Sequence, residues 1–286
     1  VQNLPASCYD KFMSILCIDF MNLCHRARSG FLMGPAPVVY NFFRQFKSLV
    51  DQFKPNRVYV VLEGRPAARY ELLPEYKATR KVEEDDPKYE ELQKFFRQKD
   101  IIVDMLSTKF PVSVVRHPTS ECDDTIANLI EKSSTAVPWT VVSNDSDFTQ
   151  LLNSHSHVSI WNPMKKEYVS TPQFDYVTWK ALRGDGSDNI PGIPGCGDTT
   201  AFKLVNDPEG LAEYLKNPER ASVFTRNYEL ISFQSWTDEE RMEMTSTSPI
   251  RDWDGIRAKF DEFGFKSITK DGSWEKFTGS FDTLWG

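Results

Sequence analysis

Apolar and polar positions along the chain alternate between two periods. Ser14 to Asp19 is a short, almost wholly apolar run that ends on an acid, and Val58 to Leu62 is a continuous apolar run ending at Glu63-Gly64. Both predict strands buried on two faces, as in parallel sheets. Between them, Val38 to Phe53 carries apolar residues at helical spacing and closes at Pro55-Asn56, so a right-handed βαβ unit is expected. Strand character resumes at 111–115 and 139–143, and a terminal pair of strands is expected at 158–161 and 167–169. Ser120 is expected to cap a helix running from about Thr125 to Lys132, and a short helix should follow Asp147 through Leu152. Beyond about residue 174 the strand signal stops. Helical patterns at 175–182, 211–215 and 256–263 flank a stretch punctuated by Gly and Pro, 189–197. The pattern predicts an α/β fold in two parts, 1–180 and 181–286, the second mainly helical. No internal repeat or low-complexity tract is visible.

Composition narrows this reading. The chain has 286 residues, 40% hydrophobic and 26% charged, which is globular rather than disordered or fibrous. No apolar run approaches the roughly 20 residues of a membrane span, and the first residues lack the layout of a signal peptide. Five cysteines (Cys8, Cys17, Cys24, Cys122, Cys196) form no CxxC pair, which points to a reducing, cytoplasmic setting without a disulfide framework or zinc ribbon. The formal net charge is −7. Setting aside the clustered acids below leaves the rest slightly positive, so the global charge does not exclude a nucleic-acid partner.

Those acids carry the chemistry. Nine carboxylates fall in five clusters: Asp19; Glu63; Glu121, Asp123 and Asp124; Asp145 and Asp147; and Asp185 and Asp188. Four of the clusters stand where a predicted strand ends or a helix begins, which is where α/β proteins build sites. Any one cluster has a structural explanation as helix caps or turn residues. Asp19 and Glu63 end adjacent strands with no evident cap to make, which favours one joint site. So many like charges converge only around a cation, and an all-oxygen set suits Mg²⁺ or Mn²⁺ rather than zinc. Two such ions would suit hydrolysis of a phosphodiester without a protein nucleophile. The four histidines are scattered and receive no role.

The segment from about 65 to 109 is densely charged. Arg65, Arg69, Lys77, Arg80 and Lys81 precede the acidic run Glu83 to Asp86. They suit contact with a strand threading past, with Tyr76 as a stacking surface and Lys77 and Arg80 on phosphate; a solvated, charge-balanced face is the plainer alternative. Gly192, Gly195 and Gly197 with Ile193 and Pro194 between them, then Ala201 and Leu204, have hairpin spacing between two helices. Exposed backbone N–H groups there could hold a phosphate irrespective of base sequence.

Taken together, Leu73-Pro74-Glu75-Tyr76-Lys77 with Arg80, Glu121-x-Asp123-Asp124, Ser143-x-Asp145-x-Asp147, and Gly184-Asp185-x-x-Asp188-Asn189-Ile190-Pro191-Gly192 resemble the flap endonuclease/5′-nuclease superfamily, in particular its phage branch. Residues 146–151 and 161–164 are similar to the ribonuclease H group of the T-even phages. The resemblance covers about residues 15–204. It implies a Rossmann-like (PIN-like) nuclease core, a helical arch and a helix-three-turn-helix DNA-binding region. It implies Mg²⁺-dependent hydrolysis to a 5′-phosphate and a 3′-hydroxyl, as in RNA primer removal during replication, on DNA or RNA–DNA with a 5′ flap or nick. By the same resemblance Asp19, Glu121, Asp123 and Asp124 form a first metal site. Asp145, Asp147, Asp185 and Asp188 form a second, and Lys77 and Arg80 act as catalytic cations. The hairpin grips duplex with a monovalent cation such as K⁺.

Two departures stand out. Glu63 replaces the family's usual Asp, and Asp198-Thr199-Thr200 follows the hairpin where Lys or Arg is frequent. The C-terminal Ser280 to Gly286 resembles sliding-clamp-binding tails, with a tail packed on its own domain as the alternative; a single-strand-binding protein is a further expected partner, and a monomer is expected. Two rival readings are a PIN-class single-strand ribonuclease and a non-catalytic branched-DNA-binding protein in which Glu63 disables the metal site.

Overall fold

The computed structural model describes residues 13–30 and 34–284. Five parallel strands form its centre: β1 (Ile15–Asp19), β2 (Arg57–Leu62), β3 (Ser113–Arg116), β4 (Trp139–Val142) and β5 (Val158–Asn162). β6 (Glu167–Tyr168) pairs antiparallel with β5; β7 (Gly184–Asp185) and β8 (Ile190–Pro191) form a separate ribbon; and β9 (Thr245–Ser246) pairs antiparallel with β3. The sheet order is β6-β5-β4-β1-β2-β3-β9. The chain thus builds outward from β1 through β2 to β3, then crosses to build β4 and β5 on the other side. That reversal opens a crevice at the carboxyl ends of β1 and β4, the usual place for a site in such sheets.

Alternate residues of each strand enter opposite cores, the period-2 consequence of the pleat. Leu16 and Ile18 of β1 with Val58 and Val60 of β2 join Phe42, Phe43, Phe46 and Phe110 on one face. Cys17, Val61, Val115 and Val141 join Ile126 and Ile130 on the other. The phenylalanine-rich face is covered by helices Phe20–Arg28, Pro37–Phe53 and Tyr89–Thr108.

Two expectations change, and one of two alternatives gains support. The helix after residue 120 begins at Cys122 with Glu121 as its N-cap, whereas Ser120 instead accepts a hydrogen bond from the Trp236 indole at 3.1 Å. The charged segment 65–109 is not all arch: Tyr89–Thr108 is a helix whose Phe95, Ile102, Met105 and Leu106 are buried in the main core. Leu73 and Tyr76 are also buried, which leaves 77–88 as its uncovered part. For the C-terminal tail the alternative of packing on its own domain holds at two positions, since Phe281 and Leu284 are buried with Phe46 and Phe110; Trp285 and Gly286 lie outside the described residues. Helices Trp253–Glu262 and Ser273–Gly279 share that core, so the chain returns to the sheet after the helical unit of 176–231 rather than ending in it.

Candidate metal centre

Each acid is delivered by a strand end or a helix start. Asp19 is the last residue of β1 and also caps helix Phe20–Arg28, accepting from the Asn22 N–H at 3.0 Å. Its second oxygen accepts from the Ser143 hydroxyl at 2.8 Å. Ser143, just after β4, in turn accepts from the Asp145 N–H at 3.0 Å, and Asp145 accepts from the Asp147 N–H at 2.9 Å. The crevice between β1 and β4 is therefore edged by a relay of acids held by their own backbone. Glu121 opens helix Cys122–Glu131, which places Asp123 and Asp124 in its first turn. Asp185 and Asp188 stand on the β7–β8 ribbon and its turn.

Two triads result. One ligand oxygen from each of Glu121, Asp123 and Asp124 lies within 4.8 Å of the others, and the same holds for Asp147, Asp185 and Asp188. Cations reach into both. Lys77 pairs with Glu121 and stands 3.7 Å from Asp188, while Arg80 pairs with Asp188. Lys180 pairs with Asp147 and lies 2.7 Å from Asp185. The Tyr76 hydroxyl bridges the triads, at 2.8 Å from Glu121 and 3.1 Å from Asp188. Lys77 has φ 55°, and its N–H donates to the Asp188 carbonyl at 2.9 Å, which pins this turn to the second triad. Non-glycine residues in that region are uncommon and often mark functional turns.

The electrostatics split the acids into two kinds. Burial raises the Asp19 carboxyl to about 6. Asp123 is driven well above the usual carboxylate range by burial and then by Asp124 and Glu121. The protein packed around Asp145 and the neighbouring Asp147 raise Asp145 too. Glu63 rises to about 7 through lost water around its carboxyl and the charge of Asp19, although its exposed flank lets solvent screen part of that. Glu121 and Asp185 move the other way: burial would raise both, but Lys77 and Arg69 outweigh it at Glu121, and Lys180 and Ser187 do so at Asp185. Each triad thus keeps a carboxylate ionised beside a buried cation. Close oxygen ligands that resist being charged together fit a divalent cation, whose charge would reverse the upward shifts.

Several expected roles change on inspection. Arg69, expected at DNA, is 2% exposed and bound to Glu121 and Asp124. Tyr76, expected as a stacking surface, is buried with its hydroxyl spent on the triads. Asp124 is fully buried with both oxygens accepting from Arg69, and one also from the Gln234 N–H at 2.8 Å, while a ligand oxygen of it stays within 4.8 Å of Glu121 and Asp123. Glu63 joins neither triad, and its carboxylate accepts from the Cys122 N–H at 3.0 Å. Arg65 and Lys81 are exposed and line one surface hollow with Lys77 and Arg80. Sequence reasoning placed Ser143 in a motif without assigning it a role, and it missed Lys180 and Tyr176. The last donates to Asp147 at 2.9 Å. Lys180 carried one signal, a lysine on the inward side of a helix that runs straight into Gly184-Asp185.

The hairpin is built as its glycines require. Gly184 and Gly195 have φ of 80° and 78°, where a side chain is strained. A Cβ on Gly192 would stand 2.1 Å from the Arg183 carbonyl. Gly197 is the N-cap of helix Asp198–Val205.

A family model described as the 5′-3′ exonuclease N-terminal resolvase-like domain matches residues 14–178, and one for the 5′-3′ exonuclease C-terminal SAM fold matches 171–237. The chain belongs to the 5′-3′ exonuclease family. The 5′-3′ exonuclease of Bacillus subtilis is 28% identical over 225 residues, 71% of this chain and 73% of that protein. The thermostable DNA polymerase I of Thermus aquaticus is 32% identical over 226 residues, 72% of this chain. The chain spans about a quarter of the length of the DNA polymerase I relatives it matches. Among solved structures, a bacteriophage T5 protein co-crystallised with metal ions has a TM-score of 0.63 at 20% identity, covering 93% of this chain and 97% of its own. A T5 flap endonuclease complex with DNA and metal ions has a TM-score of 0.63 at 17% identity, covering 94% and 98%. These two likenesses are ones of fold. The family's two-part architecture, a mostly parallel sheet followed by a helical unit, is the one described above.

Proposed function

We propose that this 5′-3′ exonuclease family member is a Mg²⁺-dependent nuclease acting at 5′ flaps, nicks and RNA–DNA ends, leaving a 5′-phosphate and a 3′-hydroxyl. The observation that carries the reading is the pair of acidic triads joined by Tyr76 and Lys77, with Arg80 on Asp188, beyond the carboxyl ends of the sheet. Glu121 and Asp123, with Asp19, would hold one ion; Asp147, Asp185 and Asp188, with Asp145, would hold a second. Bound divalent ions supply a hydroxide-like water near neutral pH and offset charge on the departing oxygen.

The chain's own residues do the rest. Lys77 and Arg80, at the base of the 77–88 segment, are positioned to hold the scissile phosphate between the triads. Lys180 and Tyr176 fix Asp147, and Ser143 fixes Asp19, so the ligands need little reorganisation. Helices 176–231 with the Gly192–Gly197 hairpin form the duplex-gripping unit, its backbone N–H groups facing phosphate, with a monovalent cation such as K⁺ as helper. Arg65 and Lys81 flank the entry of the flap. Cleavage of a labelled 5′-flap in Mg²⁺, mapped to the nucleotide beside an EDTA control, tests the reading. Cuts near the flap junction that vanish with EDTA support it; preferential cutting of unpaired RNA would favour the single-strand ribonuclease instead.

A further inference from the structure

One buried side chain joins the metal triad to the helical unit. Arg69 sits on helix Ala67–Leu72 and uses each of its three nitrogens. Nε donates to the Leu230 carbonyl at 2.8 Å, on the last turn of helix Pro218–Ile231. One terminal nitrogen donates to Glu121 at 2.7 Å and also to Asp124, and the other to Asp124 at 2.9 Å and to the Ser232 carbonyl at 3.3 Å. The far side of the joint is closed by backbone, since the Gln234 N–H donates to Asp124 at 2.8 Å. Helix Pro218–Ile231 is packed on helix Tyr176–Arg183 through Asn227, whose amide donates to the Ala181 carbonyl at 2.9 Å and the Pro191 carbonyl at 2.8 Å. Pro191 directly precedes the hairpin. An unbroken chain of bonds therefore runs from hairpin to Asn227, to Leu230, to Arg69, to Glu121.

We propose that Arg69 is a positioning residue that couples seating of a duplex on the helical unit to assembly of the Glu121-centred metal site. Arg69 is buried with its guanidinium bound to Glu121 and Asp124, so its effect on the metal site runs through those two carboxylates. A planar guanidinium is suited to this because its fork meets two carboxylates and two carbonyls at fixed angles, which a lysine ammonium cannot reproduce. Coupling of two sites is reciprocal: if duplex raises metal affinity, metal raises duplex affinity by the same factor. The inference rests on the duplex-gripping role proposed above for residues 176–231.

The test is a Mn²⁺ titration by electron paramagnetic resonance on the full chain, without and with a blunt hairpin duplex, for the unaltered protein and Arg69→Lys. The unaltered protein should bind Mn²⁺ more tightly with duplex, by about fivefold or more for coupling of ordinary size, and Arg69→Lys should lose that gain while still binding duplex. A purely structural arginine would weaken Mn²⁺ binding equally with and without duplex, leaving the ratio unchanged, and that result overturns the proposal. So does an unaltered protein with no gain. Should the unaltered protein bind no duplex at all, the gripping role fails first, and the coupling falls with it. Should Arg69→Lys not fold, hydrogen exchange in the unaltered protein reads the same link. Metal-free duplex must then slow amides in residues 121–125, and unchanged rates there refute it.

Discussion

Lys180→Met isolates the second triad. Lys180 is 4% exposed, paired with Asp147 and 2.7 Å from Asp185. Its ammonium is held well above its ordinary range: burial alone would lower it, and Asp147 outweighs burial. A lysine whose folded pKa is raised contributes stability below its unfolded pKa, hence throughout the neutral range, and loses it only in strong alkali. Methionine keeps most of the volume and removes the charge, which leaves two carboxylates facing each other in a dry site. Breaking a buried pair this way costs about 3–5 kcal/mol, and for a chain of this size that lowers Tm by roughly 5–8 °C. The loss belongs to the metal-free protein. Saturating Mg²⁺ places positive charge back between Asp147 and Asp185, so it should restore most of the difference. Thermal unfolding by circular dichroism, with EDTA and with Mg²⁺, measures both. A variant that loses less than about 1 kcal/mol without metal, or that loses as much with Mg²⁺ as without, would refute the view that Lys180 holds these ligands against their own repulsion.

Four further outcomes follow from the same geometry, the last of them at the end. Asp19 is raised to about 6 by burial, so its folded form keeps a proton that the unfolded form releases. Metal-free stability should therefore fall as pH rises from about 4 to 6, by about 3 kcal/mol at this group, and the Tm gain from Mg²⁺ should be larger above neutrality than near pH 5; equal gains would contradict it. Gly192→Ala must shift backbone, because its Cβ would meet the Arg183 carbonyl at 2.1 Å; duplex affinity measured by fluorescence anisotropy in Ca²⁺ should drop while Mn²⁺ binding without duplex persists. Phe281→Ala empties a fully buried site against Phe46 and Phe110 and should cost about 3–5 kcal/mol in urea unfolding; a neutral result would reopen the tail as a ligand for a partner.

The central strands and the acids were legible because both leave strong local marks. β1, β2 and β4 are short, largely apolar runs, and Asp19 and Glu63 stand directly at the ends of β1 and β2 with no turn signal between. The hairpin was legible because positive φ and close backbone approach demand glycine. What escaped depends on contacts distant in sequence. Helix Phe20–Arg28 begins on Asp19, so one acid serves as strand end and cap at once. Helix Tyr89–Thr108 hides a narrow apolar stripe of Phe95, Ile102, Met105 and Leu106 among charges. Arg69 and Tyr76 are expected to face nucleic acid, and Lys180 carries no expected role. Each is buried because a carboxylate some 33 to 112 positions away supplies its counter-charge or acceptor. No local pattern records such pairing, and for the same reason the sequence left the tail's two alternatives open, whereas Phe281 and Leu284 are part of the main core.

The claim that these triads cut phosphodiesters is tested most directly by single-turnover cleavage of a 5′-flap in Mg²⁺ with Asp147→Asn beside the unaltered protein. Asp147 belongs to the second triad and is held by Lys180 and Tyr176, so the amide keeps the shape and removes a ligand charge. Unchanged duplex binding with cleavage slowed by about 10²-fold or more, the scale of losing one electrostatic stabiliser, is the predicted result. Cleavage at the unaltered rate by Asp147→Asn would contradict it.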